Sequence, residues 1–261
     1  MSARVPQKAQ GLEFLHVAGL SVVYGNASTA VDMLMMDAAL SAARVYVLVN
    51  AHSAKLRRED AGYARVLADR QRVICLPDGA SITAGARLLG LGDIGRCPGP
   101  DLLEAACAVC AASGISVFLL GGAPGVADKL KADLITRYPG LQVAGTFTPP
   151  YGEWPEAASQ QMVRMVQNSG AQVLWLGVSA PKQEKWAYEY AEKLSMPIVC
   201  VGAAFDFASG GKKRAPAWMR RVGMEWLYRL YSEPRRMWRR YLVGNAQFLF
   251  DLVRYGRREA V

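Results

Sequence analysis

The sequence predicts an α/β protein: a Rossmann-like, mostly parallel sheet with helices on both faces, carrying a basic helical appendage at its C-terminal end. Three observations carry that expectation. From about residue 17, short aliphatic runs without a polar face alternate with longer amphipathic stretches. Strands buried on both faces read this way, and their alternation with helices gives a parallel sheet. The 261 residues are 52% hydrophobic and 20% charged, enough for a large core and unlike a disordered chain or a coiled coil. The charge is also polarised: residues 211–261 hold 13 Lys/Arg against 4 Asp/Glu, whereas residues 1–210 hold 18 of each. The whole formal charge of +9 therefore sits in the last fifth of the chain, and such a segment usually meets phosphates.

The polar opening MSARVPQKAQ lacks the apolar run of a signal peptide, so retention in the cytoplasm is expected. Strands are expected at 21–25 (SVVYG), 44–50 (RVYVLVN), 72–78 (RVICLPD), 116–122 (SVFLLGG), 141–145 (LQVAG), 172–178 (QVLWLGV) and 197–203 (PIVCVGA). Helical spacing of apolar residues marks 28–42, 125–138, 156–169 and 181–194. Residues 105–127 are uncharged and long enough to span a bilayer. Ser113-Gly114, Gly121-Gly122 and Pro124 instead cut this stretch into a helix end, a strand and a turn. The five cysteines suit a reduced, cytosolic chain; Cys107 and Cys110 form a CxxC within a helical stretch, with no second Cys/His pair to complete a metal or redox motif. Past Gly210, Trp218, Trp226, Tyr228, Tyr231, Trp238, Tyr241 and Phe248 interleave with arginines, and Pro234 should interrupt or restart a helix. The chain thus divides into a body, 1–210, and an appendage, 211–261.

Open α/β sheets bind ligands outside the C-terminal ends of their strands, which directs attention to the residues after each aliphatic run. Asp78 follows RVICLP and precedes Gly79. It suits either a helix cap or turn stabiliser, or a general base for an acceptor hydroxyl. Asn50 offers a donor and an acceptor to a ligand, while His52 suits a structural imidazole or a proton shuttle. His16 is the only other histidine, and neither HExxH nor paired carboxylates at metal spacing occur, so no metal site is expected. The GGAPGV turn, 121–126, opens a helix and reads as a tight turn or a phosphate cradle. A nicotinamide dinucleotide would want an acidic residue after the next strand, and LQVAGTFT has none. Pro181 suits a first helical turn containing Lys182, Gln183 and Glu184, where Gln183 either caps its helix or reads a ligand. Arg229, Arg236 and Arg239 are spaced by seven and then three, sharing a face on a continuous helix that Pro234 would bend. They suit a solvated face, a grip on a diphosphate, or an anionic membrane surface.

Taken together, VFLLGGAPGVADKLKADLITRYPGLQVAG, GVSAPKQEKW and VGAAFDFASGGKKRAPAWMRRVGMEWLYRLYSEPRRMWRRYLVGN closely resemble the WecG/TagA/CpsF family of bacterial glycosyltransferases. The resemblance runs from about residue 11 to 255. It implies an inverting, metal-independent enzyme without a cofactor, moving a sugar from a UDP-sugar to a lipid (polyprenyl) diphosphate-linked sugar with a β-linkage, in cell-surface polysaccharide synthesis. It implies Asp78 as the general base, Asn50 as a donor- or acceptor-binding residue, and Gln183 as part of the nucleotide-sugar pocket. Arg229, Arg236 and Arg239 would close over the UDP diphosphate. The enzyme would be peripheral on the inner face of the plasma membrane, with an anionic membrane surface as partner and no nucleic acid; homo-oligomer formation stays open. One departure is Leu48, where teichoic-acid members carry Thr two residues before the Asn. The alternatives are a Rossmann-type NAD-dependent oxidoreductase and a non-enzymatic polyanion- or membrane-binding module.

Overall fold

The computed structural model describes residues 12–256, apart from the side chains of Arg221, Arg236, Arg239 and Arg240. The chain enters through a hairpin: β1 (Phe14–Val17) and β2 (Leu20–Val23) pair antiparallel, with Val17 opposite Leu20. Ala18 and Gly19 take φ of +52° and +78°, a two-residue turn whose twist fits a hairpin. The strand expected at 21–25 is therefore corrected, being the second arm of this hairpin and not a member of the parallel sheet. A short apolar run shows that a strand forms without showing its partner.

The main sheet follows α1 (Ala27–Ala39). Its elements are β3 (Val45–Val49), α2 (Ala51–Glu59), α3 (Ala61–Ala68), β4 (Val73–Pro77), α4 (Ala80–Leu88), α5 (Gly99–Ser113), β5 (Val117–Gly121), α6 (Val126–Arg137), β6 (Val143–Phe147), α7 (Glu156–Asn168), β7 (Val173–Gly177), α8 (Lys182–Leu194) and β8 (Ile198–Cys200). The six strands lie in the order β4-β3-β8-β7-β5-β6, all parallel. The Rossmann-like class expected from the aliphatic runs is what forms. The edge strand β6 starts two residues later than its sequence suggests, with an irregularity in its pairing at Val117/Phe118.

Alternate strand residues enter two cores. Val45, Val47 and Val49 pack with residues of α2, α3, α7 and α8, whereas Tyr46, Leu119 and Trp175 pack with α1, α5 and α6. The connections through α7 and α8 thus cover one face and that through α6 the other, so the crossovers change sides between β5 and β7. In open α/β sheets ligands bind near such a point. The two strands stay paired to their last residues here: Gly121, at φ +138°, faces Gly177, and a Cβ on it would stand 2.4 Å from the Gly177 carbonyl oxygen.

Residues 105–127 divide between α5 and β5, and no described helix is long and apolar enough to cross a membrane. Cys107 and Cys110 are buried in the core, where burial raises both thiol pKa values, that of Cys110 to about 12. After β8 come α9 (Ala204–Ala208), α10 (Ala217–Arg221), α11 (Glu225–Ser232), α12 (Pro234–Trp238), a π-helical turn (Arg239–Val243) and α13 (Gly244–Tyr255). Pro234 restarts a helix, as its fixed φ and missing N–H require.

Candidate active site at the strand ends

Two neighbouring turns build the first half of the site. β3 ends at Val49, and Asn50 caps α2: its Oδ1 accepts the His52 N–H at 3.0 Å while Ser53 Oγ accepts the Asn50 N–H at 3.1 Å. This reciprocal cap fixes the Asn50 side chain. β4 ends at Pro77, and the Asp78 N–H continues the ladder by donating to the Val49 carbonyl at 3.0 Å. Asn50 Nδ2 then donates to Asp78 Oδ2 at 3.2 Å. Oδ1 has no hydrogen bond among the described residues and is available to a ligand hydroxyl.

Asp78 does not cap the next helix; α4 is capped by Gly79, with no side-chain hydrogen bond. Gly79 answers a close approach, since a Cβ there would meet Asn50 Cβ at 2.9 Å. Ser81 Oγ, accepting the Ala51 N–H at 3.2 Å, ties the two turns a second time. Ser53 and Ser81 are supports that strand-end reasoning missed; a serine three residues after a strand-terminal Asn or Asp was the available signal. Leu48 packs against the start of α5, its Cδ1 occupying space a Gly99 side chain would need.

Gln183 lies beneath the rim, 4% exposed. Its Oε1 accepts the Gly202 N–H at 3.1 Å and its Nε2 donates to Glu184 Oε1 at 2.8 Å, so the amide ties the turn after β7 to the turn after β8. Glu184 is 2% exposed, and burial pushes its pKa up to about 7 against the opposing hydrogen bond from Gln183.

The appendage reaches this rim at two places. Arg229 of α11 lays its guanidinium 5.1 Å from the ring centroid of Phe207 in α9, and its Nε has no hydrogen-bond partner. The side chains of Arg236 and Arg239 lie outside the described residues; their backbones belong to α12 and to the π-helical turn. At the second contact, Arg96 donates to the Arg220 carbonyl at 3.0 Å and to Glu225 Oε2 at 3.3 Å. Arg214 Nη1 donates to Asp101 Oδ1 at 2.7 Å, and the turn at Gly223 rests against Ala80, two residues past Asp78. Sequence spacing drew attention to the later arginines and missed Arg96, Arg214 and Arg220. Asn50 and Asp78 share one turn pair, Gln183 supports the turns beside it, and Arg229 joins through Phe207. Among the described residues no three His, Cys, Asp or Glu side chains converge as a metal site.

A parallel sheet with a hydrogen-bonded carboxylate at its strand-end rim, and an arginine-bearing appendage lying against that rim, is the frame of an α/β enzyme. The profile of the Glycosyl transferase WecG/TagA/CpsF family matches residues 15–260, and the chain belongs to that family of glycosyltransferases. It is also similar to the N-acetylglucosaminyldiphosphoundecaprenol N-acetyl-beta-D-mannosaminyltransferase of Bacillus subtilis (strain 168), 28% identical over 195 residues, covering 74% of this chain and 73% of the relative.

Proposed function

We propose that this glycosyltransferase moves a sugar from a UDP-sugar to a sugar carried on a polyprenyl diphosphate, inverting the anomeric centre to give a β-linkage. The observation that carries the reading is the Asp78 carboxylate, held through one oxygen by Asn50 with the other oxygen open. The acceptor hydroxyl gives its proton to Asp78 as its oxygen bonds to the anomeric carbon, while the bond from that carbon to the UDP oxygen breaks. A single in-line displacement needs a placed base and positive charge at the departing diphosphate. Arg229, Arg236 and Arg239 supply that charge in this reading, without a metal or other cofactor. The relative's name supports the lipid-diphosphate acceptor, since that enzyme acts on N-acetylglucosaminyldiphosphoundecaprenol.

In the same reading, residues 1–210 supply the base and 211–261 complete the site and touch the membrane from its cytoplasmic side. Exposed Trp218 (62%), Tyr231 (87%) and Leu242 (64%) among the arginines support surface contact. The test is UDP release across a panel of UDP-sugars with lipid-diphosphate acceptors. One pair should release UDP with formation of a β-linked product; a retained anomeric configuration, or turnover abolished by chelator and restored by a divalent ion, overturns the mechanism. Sedimentation with anionic vesicles tests the membrane assignment, which fails if Trp218→Ala with Tyr231→Ala binds as the native protein does.

A further inference from the structure

We propose that a cavity of about 410 Å³ at the joint between body and appendage binds a substrate diphosphate through Arg96, Arg214 and Arg220. The identity of that substrate rests on the reading above; the anion site does not. Arg96, Pro98, Asp101, Ala217 and Arg220 line the cavity, and Arg214 reaches it through Asp101.

Among the described residues the charges do not balance: three guanidinium groups face two carboxylates, Asp101 and Glu225. Asp101 Oδ1 is committed to Arg214 at 2.7 Å, and Arg220 Nη1 stands 3.7 Å from that same oxygen, beyond hydrogen-bond reach. Hydrogen bonding is incomplete as well: Arg96 Nε, Arg214 Nε and Nη2, and Arg220 Nε are shielded from water and find no partner among the described residues. Buried cationic donors without acceptors are costly, and clustering them is costlier. An anion with several acceptor oxygens, met by small rotations of these forks, removes both defects. Guanidinium forks match phosphate oxygens in spacing and plane. The 15-residue α5 adds to this, starting at the cavity wall with Pro98 as an N-cap that makes no side-chain hydrogen bond.

Placement ties the cavity to the reaction. The Cys97 N–H, between Arg96 and Pro98, donates to the Pro77 carbonyl at 2.7 Å, one residue before Asp78. A sugar attached to a diphosphate held here would lie beside the Asp78 turn. The same chemistry has two sources, the lipid-linked acceptor and the nucleotide donor.

Calorimetry of the full chain with inorganic diphosphate tests the site. The native protein should bind it, Arg220→Gln and Arg214→Gln should each bind about tenfold more weakly or worse, and Arg220→Lys should fall between, with Tm values close to native. Kinetics assign the source: a raised KM for the lipid-diphosphate acceptor at unchanged UDP affinity assigns the acceptor, and weakened UDP affinity at unchanged acceptor KM assigns the donor. Folded Gln variants that bind inorganic diphosphate as the native protein does would overturn the proposal. A native protein that transfers no sugar in any pairing, yet loses diphosphate binding in Arg220→Gln, would sink the functional reading and leave the site standing.

Discussion

Helices α11 and α13 come from the same basic, aromatic-rich stretch, and the fold treats them differently. α13 docks on α2 and α4: Phe248 and Leu252, four apart, enter the body core, and the fully buried Asp251 accepts from Arg58 Nη1 at 2.7 Å. α11 buries no side chain; Arg229 over Phe207 and the Arg96–Glu225 pair tie it to the body. Charge and aromatic content, which set the whole segment apart in sequence, thus describe a structural strap and a loosely seated arm equally well. The distinction lies in whether apolar residues recur on one turn-spaced face and whether the charge among them finds a partner. A loosely seated arm bearing cations suits a site that must admit and release substrate, whereas a strap does not.

The largest expected effect lies on the rigid side of this comparison. Asp78→Asn keeps the side chain's shape but removes the carboxylate proposed as the base, so kcat should fall by about 10²–10⁴-fold, with UDP affinity and Tm near native. Stopped assays of UDP release read this directly, and near-normal turnover would remove Asp78 from the chemistry. Next comes the strap itself. Phe248→Ala should cost about 3–5 kcal/mol in urea unfolding. Tyr231→Ala on α11, where the side chain is 87% exposed, should stay within about 0.5 kcal/mol. Equal costs for the two would erase the distinction between strap and arm.

Glu184 gives the third test. Its folded pKa, near 7, is raised by burial above the ordinary value of 4.5. The neutral acid is therefore favoured in the fold, with full stability below about pH 4.5 and loss as pH rises through about 7. The loss is on the order of 3 kcal/mol. Glu184→Gln keeps an acceptor for Gln183 and cannot ionise, so its stability should stay flat across that window. Denaturant melts at pH 5 and pH 8 decide it, and parallel pH profiles for the two proteins would show that Glu184 ionises freely.

The parallel sheet was legible because 44–50, 72–78, 116–122 and 172–178 are continuous aliphatic runs, a pattern that burial on both faces imposes. The hairpin was not, because four-residue strands on either side of Ala18-Gly19 carry too little pattern to name a partner. Asp78 and Asn50 were found as strand-end residues. Their mutual hydrogen bond was hidden, since it depends on Val49 pairing with Pro77, a register 28 residues apart in the chain. Gln183 was placed at the rim from its motif, but its burial follows from how the turns after β7 and β8 pack. Arg96 and Arg220 are 124 positions apart, and no local spacing foretells that they meet.

The smallest expected effect belongs to the arm. Arg229 is held over the Phe207 ring, a contact worth roughly 0.5–1 kcal/mol at a partly exposed site, and its Nε has no partner among the described residues, so Arg229→Ala should change urea stability by about 1 kcal/mol or less. If α11 closes over the donor's diphosphate, the same substitution should weaken UDP binding about tenfold, because a charge-assisted hydrogen bond exists only in the complex. Arg229→Lys separates the two roles: it retains charge but loses the planar fork, and should recover only part of the affinity. Unchanged UDP affinity in Arg229→Ala would reduce α11 to a surface helix. A large stability loss would make it a second strap, and the contrast with α13 would then have no functional content.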